Sequence, residues 1–367
     1  MRGAFLYRGG RDERCRNKLH FAPDPVSFAR RCDQKDSPMR DAHIKYAHVL
    51  TGGARGAILD DEAMRTVLRA ETLGWVHLDG THADSAGWIA SHLDYLDPQA
   101  IEALLDPASR PRITPLGDGL MIILRVINFN EGEDPEDMVS LRVWIDAHRI
   151  VTVSLRRVRA VERMSDALSA GIGPQTAGQF LTRLIEDVTG KIADFQSDLD
   201  VQAEALEDKI VRDESDGLRS DVVNLRLQVI AARRFMAPQR DVIHAIALSQ
   251  CSFIDEETRR EIEEEAQKMT RVIEDLDELR DQAIVLREEL SGQLSDRLNR
   301  NMFVLSMISA VFLPLGFLTG LFGVNVGGMP GLASNAAFFW LCASLVGVVA
   351  VQAGAVFWMR RTRRPSR

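Results

Sequence analysis

At 367 residues, 46% hydrophobic and 27% charged, the chain is too long for one small domain and has the bulk composition of an ordinary folded protein. Its cysteines, Cys15, Cys32, Cys251 and Cys342, stand apart from one another, which excludes a disulfide framework and a Cys-x-x-Cys metal site. The formal net charge of −8 hides an uneven distribution, because no Asp, Glu, Lys, Arg or His occurs in the 58 residues from Met302 to Met359.

Residues 1–44 read as an amino-terminal extension. The stretch is rich in arginine (Arg2, Arg8, Arg11, Arg14, Arg16, Arg30, Arg31), shows no periodicity and lacks the apolar core of a signal peptide. It is expected to be disordered, or an over-long reading frame ahead of a true start at Met39. Residues 45–156 alternate short β-rich runs with helical segments. Gly74 to Asp79, Gly119 to Ile127, Met138 to Ile145 and Arg149 to Leu155 are rich in Val, Ile and Leu and are predicted strands. One helix is predicted after Asp84 and another at Asp97-Pro98, where Asp caps and Pro takes the first helical position. A hairpin-length turn at Asp146 to His148 joins the last two strands. The economical fold is an α+β domain with a partly antiparallel sheet.

Residues 157–254 are predicted to be helical, with long helices at Gln175 to Arg212 and about Leu218 to Leu248, where apolar residues recur every three or four positions among dense charge. From Thr258 to Phe322 the only proline is Pro314, so a single helix is expected to run through residues 255–301 and on into the apolar region, roughly 95 Å at 1.5 Å per residue. Its charged half carries an apolar stripe including Met269, Ile273, Leu276, Leu279 and Leu290. That pattern suits a coiled coil or solvated lever as well as it suits a rod coupling a soluble domain to a pore.

The charge-free run is two membrane spans and a turn. Residues 302–322 and 337–359 each suffice to cross a hydrocarbon core of roughly 30 Å, and the Gly-, Asn- and Pro-rich residues 323–336 separate them. The alternative is a pair of buried helices in a soluble core. Arg297 and Arg300 precede the first span, and Arg360, Arg361, Arg363, Arg364 and Arg367 (residues 360–367) follow the second. Both ends are therefore expected in the cytoplasm, with the uncharged loop outside. That position also makes the arginines a topological signal rather than a nucleic-acid patch. Setting those five arginines aside, the rest carries about −13, which concentrates cations near an inner vestibule.

Phe322-Gly323-Val324-Asn325, within LTGLFGVNVGGMPG, resembles the signature of the CorA superfamily of divalent-cation transporters, where a Gly-Met-Asn triplet ends the first of two membrane helices. Here Val324 replaces Met and Phe322 the usual Tyr. With the uncharged loop, and with the strings Ser109 to Gly119 and Phe235 to Val242, the chain resembles the ZntB-like zinc-transport branch more than the magnesium channels. The resemblance runs from about Trp75 to the end. It implies a homopentameric, funnel-shaped transporter in the bacterial inner membrane, with Zn2+ as the transported ion, no resident cofactor, and lipid, divalent cation and other copies of the chain as partners.

An unwound, Gly-rich helix end lets backbone carbonyls and the Asn325 amide face water and bind a cation through its hydration shell. Five copies of Gly323, Val324 and Asn325 would form a ring at the outer mouth; the bland alternative is that Asn325 only caps the helix. Met302, Leu305, Ser309, Leu313, Gly316 and Gly320 share one helical face and are the expected pore lining, the larger three as hydrophobic constrictions. Packing against neighbouring helices explains the same stripe. His77, Asp79 and His82 offer imidazole and carboxylate at one strand end, a candidate zinc site or simply local hydrogen bonding. Glu274, Asp275, Asp277, Glu278 and Asp281 are candidates for regulatory cations, or a solvated helix face. No phosphate loop, nucleophile elbow or paired catalytic carboxylates is present, so an enzyme is not expected. A magnesium, cobalt or nickel channel, and a membrane-anchored signalling or scaffold protein, remain the rival readings.

Overall fold

The computed structural model describes residues 43–52, 56–59, 67, 72–94, 96, 98–106, 110–212, 217–323 and 336–362. Six strands form one mixed sheet: β1 (Ile44–Val49), β2 (Gly74–Asp79), β3 (Arg112–Leu116), β4 (Gly119–Val126), β5 (Val139–Ile145) and β6 (Arg149–Ser154). Their spatial order is β1-β2-β6-β5-β4-β3, with every neighbouring pair antiparallel except β2 and β6. The four predicted strands are the four inner ones. The two that sequence reasoning missed, β1 and β3, are the edges. β3 carries Pro115, which an edge strand tolerates because its N–H would face away from the ladder. β1 begins at Ile44, so the fold starts within the stretch read as an extension.

β4 and β5 are buried almost throughout, the continuous apolar pattern of strands covered on both faces. Alternate side chains separate into two cores. Trp75, Leu120, Ile122, Leu124, Leu141, Val143, Ile145 and Ile150 face the long helices. Val76, Leu78, Met121, Ile123, Trp144, Val151 and Val153 face α1 (Ala83–His92) and α2 (Pro98–Leu105), through Trp88, Ile89, Leu93 and Leu104. Helix α2 begins at Pro98 as expected, whereas Asp97 lies outside the described residues. Helix α1 is capped by His82, whose side chain accepts from the Asp84 amide.

On the other face lie α3 (Arg159–Ser169), α4 (Ala177–Val211), α5 (Leu218–Ala247) and the first half of α6 (Glu256–Gly323). Thr176 caps α4 by accepting from the Gln179 amide at 3.1 Å, and Asp255 caps α6 through the Thr258 amide at 2.8 Å. The seam between α4, α5 and α6 is read directly from the heptad-like spacing of Leu181, Ile185, Val188, Ile192 and Leu199 against Ile262, Met269, Ile273, Leu276 and Leu290. Arg233 of α5 clasps Asp277 of α6 with two hydrogen bonds, at 2.6 and 3.0 Å.

Beyond Leu290 the helix leaves the bundle. At 68 residues α6 is roughly 100 Å long, and it continues without a break into the apolar stretch before α7 (Ala337–Thr362) returns alongside it. Both helices are long and apolar enough to span a membrane, and no residue of either apolar window is buried. The soluble-core alternative therefore fails, because core helices bury such surfaces.

Candidate functional site

The two C-terminal helices meet along a seam of half-buried residues: Met307, Val311, Pro314, Leu315 and Leu318 from α6, and Ala337, Leu341, Leu345, Val348 and Gln352 from α7. At about 100° per residue, Met302, Leu305, Ser309, Leu313, Gly316 and Gly320 lie on the opposite side of α6. All six are exposed in the single chain. A Cβ added at Gly316 or Gly320 would meet nothing within 4 Å, so these glycines do not serve packing within the chain. The Ser309 hydroxyl turns back to the Leu305 carbonyl at 3.0 Å. Gly323 ends α6; Val324 and Asn325 lie outside the described residues.

Pro314 has no N–H to give to the Ala310 carbonyl one turn earlier. The Gln352 side chain supplies it, donating from Nε2 at 2.9 Å. In hydrocarbon an unpaired carbonyl costs several kcal/mol, so this cross-helix bond lets the first span carry a proline and ties it to the second. Gln352 was not singled out from the sequence, although a polar residue inside a charge-free run was the signal available.

The sheet does not gather His77, Asp79 and His82 into one cluster. His77 is buried, with its ring nitrogens 2.9 Å from Thr152 Oγ1 and 3.3 Å from Ser154 Oγ. Asp79 accepts from the Thr81 amide and hydroxyl and pairs with Lys45 at 3.3 Å. Burial opposes ionisation of Asp79, but these partners hold its carboxyl below the usual range. Both residues border a cavity of about 380 Å³ shared with Lys45, Arg156, Arg157 and Glu162, where Lys45 already pairs with Asp79 and Arg157 with Glu162. His82 donates its amide to the Asp79 carbonyl at 3.2 Å and turns its side chain to cap α1.

Burial lowers the His77 pKa from 6.5 to about 4, with nearby Asp79 partly offsetting and Lys45 adding to the effect. The unfolded chain therefore binds more protons than the folded one between those values. Stability is complete above pH 6.5 and falls as pH drops toward 4, by roughly 3 kcal/mol from this residue. Thermal unfolding of the purified protein across pH 4–7 should show this step, and His77→Gln should flatten it. An unchanged profile in the variant would assign the acid sensitivity to other groups.

Along α6, Asp277 is held by Arg233 and Arg280, and Asp281 by Arg280 at 2.8 Å. Glu274, Asp275 and Glu278 are exposed. The carboxyl of Asp200 on α4 is pushed up by burial and by the neighbouring Asp275, Glu204 and Glu278, so negative charge does accumulate between these helices. The strings Ser109 to Gly119 and Phe235 to Val242 have structural work at the sheet–helix joint. Gln239 accepts from the Arg125 amide at 2.6 Å while the Arg125 guanidinium lies 4.6 Å from the Phe235 ring centre, and Asp118 receives the Ser252 amide at 2.8 Å.

Residues 70–361 match the family model described as CorA-like Mg2+ transporter protein. The chain is 35% identical over 319 residues to the zinc transport protein ZntB of Yersinia enterocolitica, covering 87% of this chain and 95% of that one. It is 36% identical over 322 residues to the divalent cation transporter CmaX of Pseudomonas aeruginosa, covering 87% and 96%. The structure of full-length CmaX superposes with a TM-score of 0.76 at 33% identity, covering 89% of this chain and all of that one.

Proposed function

Because the chain belongs to the CorA-like family of divalent-cation transporters, and is a membrane transporter rather than an enzyme, we propose that it moves zinc across the bacterial inner membrane through a homopentameric pore. The observation that carries this reading is the orientation of α6. Its stripe from Met302 to Gly320 faces away from α7, the other candidate span among the described residues, and has no packing partner within the chain among those residues. Five such stripes around an axis would line a passage, with Met302, Leu305 and Leu313 as constrictions that close by dewetting and Ser309, Gly316 and Gly320 leaving room for a hydrated ion. Gly323, Val324 and Asn325 would form the outer mouth.

In this reading both termini are cytoplasmic, following Arg297 and Arg300 before one span and Arg360 and Arg361 after the other. Residues 45–301 form the funnel, 302–322 and 337–359 the spans, and 323–336 the outer loop. Zinc as the ion rests on the ZntB relatives, since amide and peptide oxygens alone do not select it over magnesium, cobalt or nickel. The magnesium reading has its own support in the description of the matching family. Flux of each metal into liposomes holding the purified protein decides between them. Zinc should enter at least several-fold faster than magnesium, and equal rates would remove zinc as the specific cargo.

A further inference from the structure

Among the described residues, one buried histidine has neither ring nitrogen hydrogen-bonded. His43, just ahead of β1, is 4% exposed, and neither ring nitrogen has a hydrogen-bond partner. A buried polar group left so is costly, and a native fold that keeps one calls for an explanation such as an ion. The ring looks onto the head of α1, with its centre 5.8 Å from that of His82. One donor atom each from His43, His82 and Asp84 lie within 4.8 Å of one another.

We propose that His43, His82 and Asp84 bind one borderline divalent transition-metal ion of the zinc type, with water completing the shell. Two imidazoles and a carboxylate are the donors such an ion favours, and a fourth position left to water gives an exchangeable site rather than a closed structural one. Around a tetrahedral ion the donor atoms stand roughly 3.4 Å apart. His82 Nδ1 and the Asp84 carboxylate are already 3.5 Å apart, so a small rotation of His43 completes the set. The existing bond from the Asp84 amide to His82 Nδ1 is long, at 3.3 Å, and would yield to a metal. Half-exposed His82 and exposed Asp84 give the ion its way in.

Its effect would be mechanical. His43 leads into the edge strand, and its carbonyl accepts from the Asp79 amide at 2.8 Å. A bound ion would fasten the start of β1 to the turn between β2 and α1. The site lies on the sheet and does not depend on which ion the spans carry.

The test is titration of Zn2+ into the purified full-length protein, wild type against His43→Ala and Asp84→Asn, with thermal unfolding followed in Zn2+ and in Mg2+. The wild type should bind one Zn2+ per chain that each variant loses or binds at least ten-fold more weakly, and Zn2+ but not Mg2+ should raise its Tm. Should His43→Ala not fold, Asp84→Asn decides, because that side chain is 75% exposed. Identical isotherms and Tm shifts in the wild type and Asp84→Asn would overturn the proposal. Zinc flux measured on the same proteins separates the two readings: absent wild-type flux with the site intact counts against the pore alone.

Discussion

Alanine in place of Asn325 is expected to cut metal flux by at least ten-fold while leaving the assembly intact. In the proposed ring each amide oxygen accepts from the water shell of a dication, and a hydrogen bond involving a charged group is worth about 1.5–3 kcal/mol. The loss of even one such bond at the step that captures the ion is thus about ten-fold or more, and the substitution removes the group from every subunit. Folding should not suffer, because the position follows Gly323, where α6 ends, and Ala removes only a polar side chain. Flux in proteoliposomes, read together with size-exclusion profiles, makes the comparison. A scaffold protein anchored by the same two helices would tolerate the change, so undiminished flux with normal assembly would remove the ring.

How much of this was legible in the sequence followed the strength of each physical signal. The long helices declared themselves because dozens of residues repeat one period, and α4, α5 and α6 end within about two residues of their expected limits. Inner strands such as Gly119–Val126, apolar but for Arg125, were equally plain. β1 and β3 were not, since an edge strand is half-wet, short and mixed in pattern, and β3 includes a proline. Among the candidate site residues, which of those on α6 share one face was readable from spacing alone, because one helix fixes that geometry. Of the donors at the start of the sheet only His82 was singled out, and with other partners. His43 and His82 are 39 positions apart in sequence, and only the pairing of β1 with β2 brings the first to the second. His77 and Asp79, adjacent in the sequence to the right chemistry, were instead claimed by Thr152, Thr81 and Lys45.

The largest expected effect on stability comes from Phe180→Ala. Phe180 lies near the start of α4, 1% exposed, with its ring centre 5.2 Å from that of Trp75 on β2 and the planes inclined at 55°. It is the principal wedge between the sheet and the helical layer at that end, so removing it leaves a cavity that neither rigid layer can collapse into. Truncations of this kind cost about 3–5 kcal/mol, a large share of the roughly 5–15 kcal/mol that holds a typical domain. The damage should also travel. The Trp75 indole donates to Thr152 Oγ1 at 2.9 Å, and that oxygen is in turn 2.9 Å from His77 Nδ1. Loosening Trp75 would admit water to the histidine, bring its pKa back up from about 4 and shrink the acid step described above. Urea unfolding followed by tryptophan fluorescence at pH 7 and pH 5 measures both effects on one variant. A loss below about 1 kcal/mol at pH 7 would mean that the sheet and helices are held together elsewhere, and a full loss with an unaltered acid step would break the proposed link from Trp75 to His77.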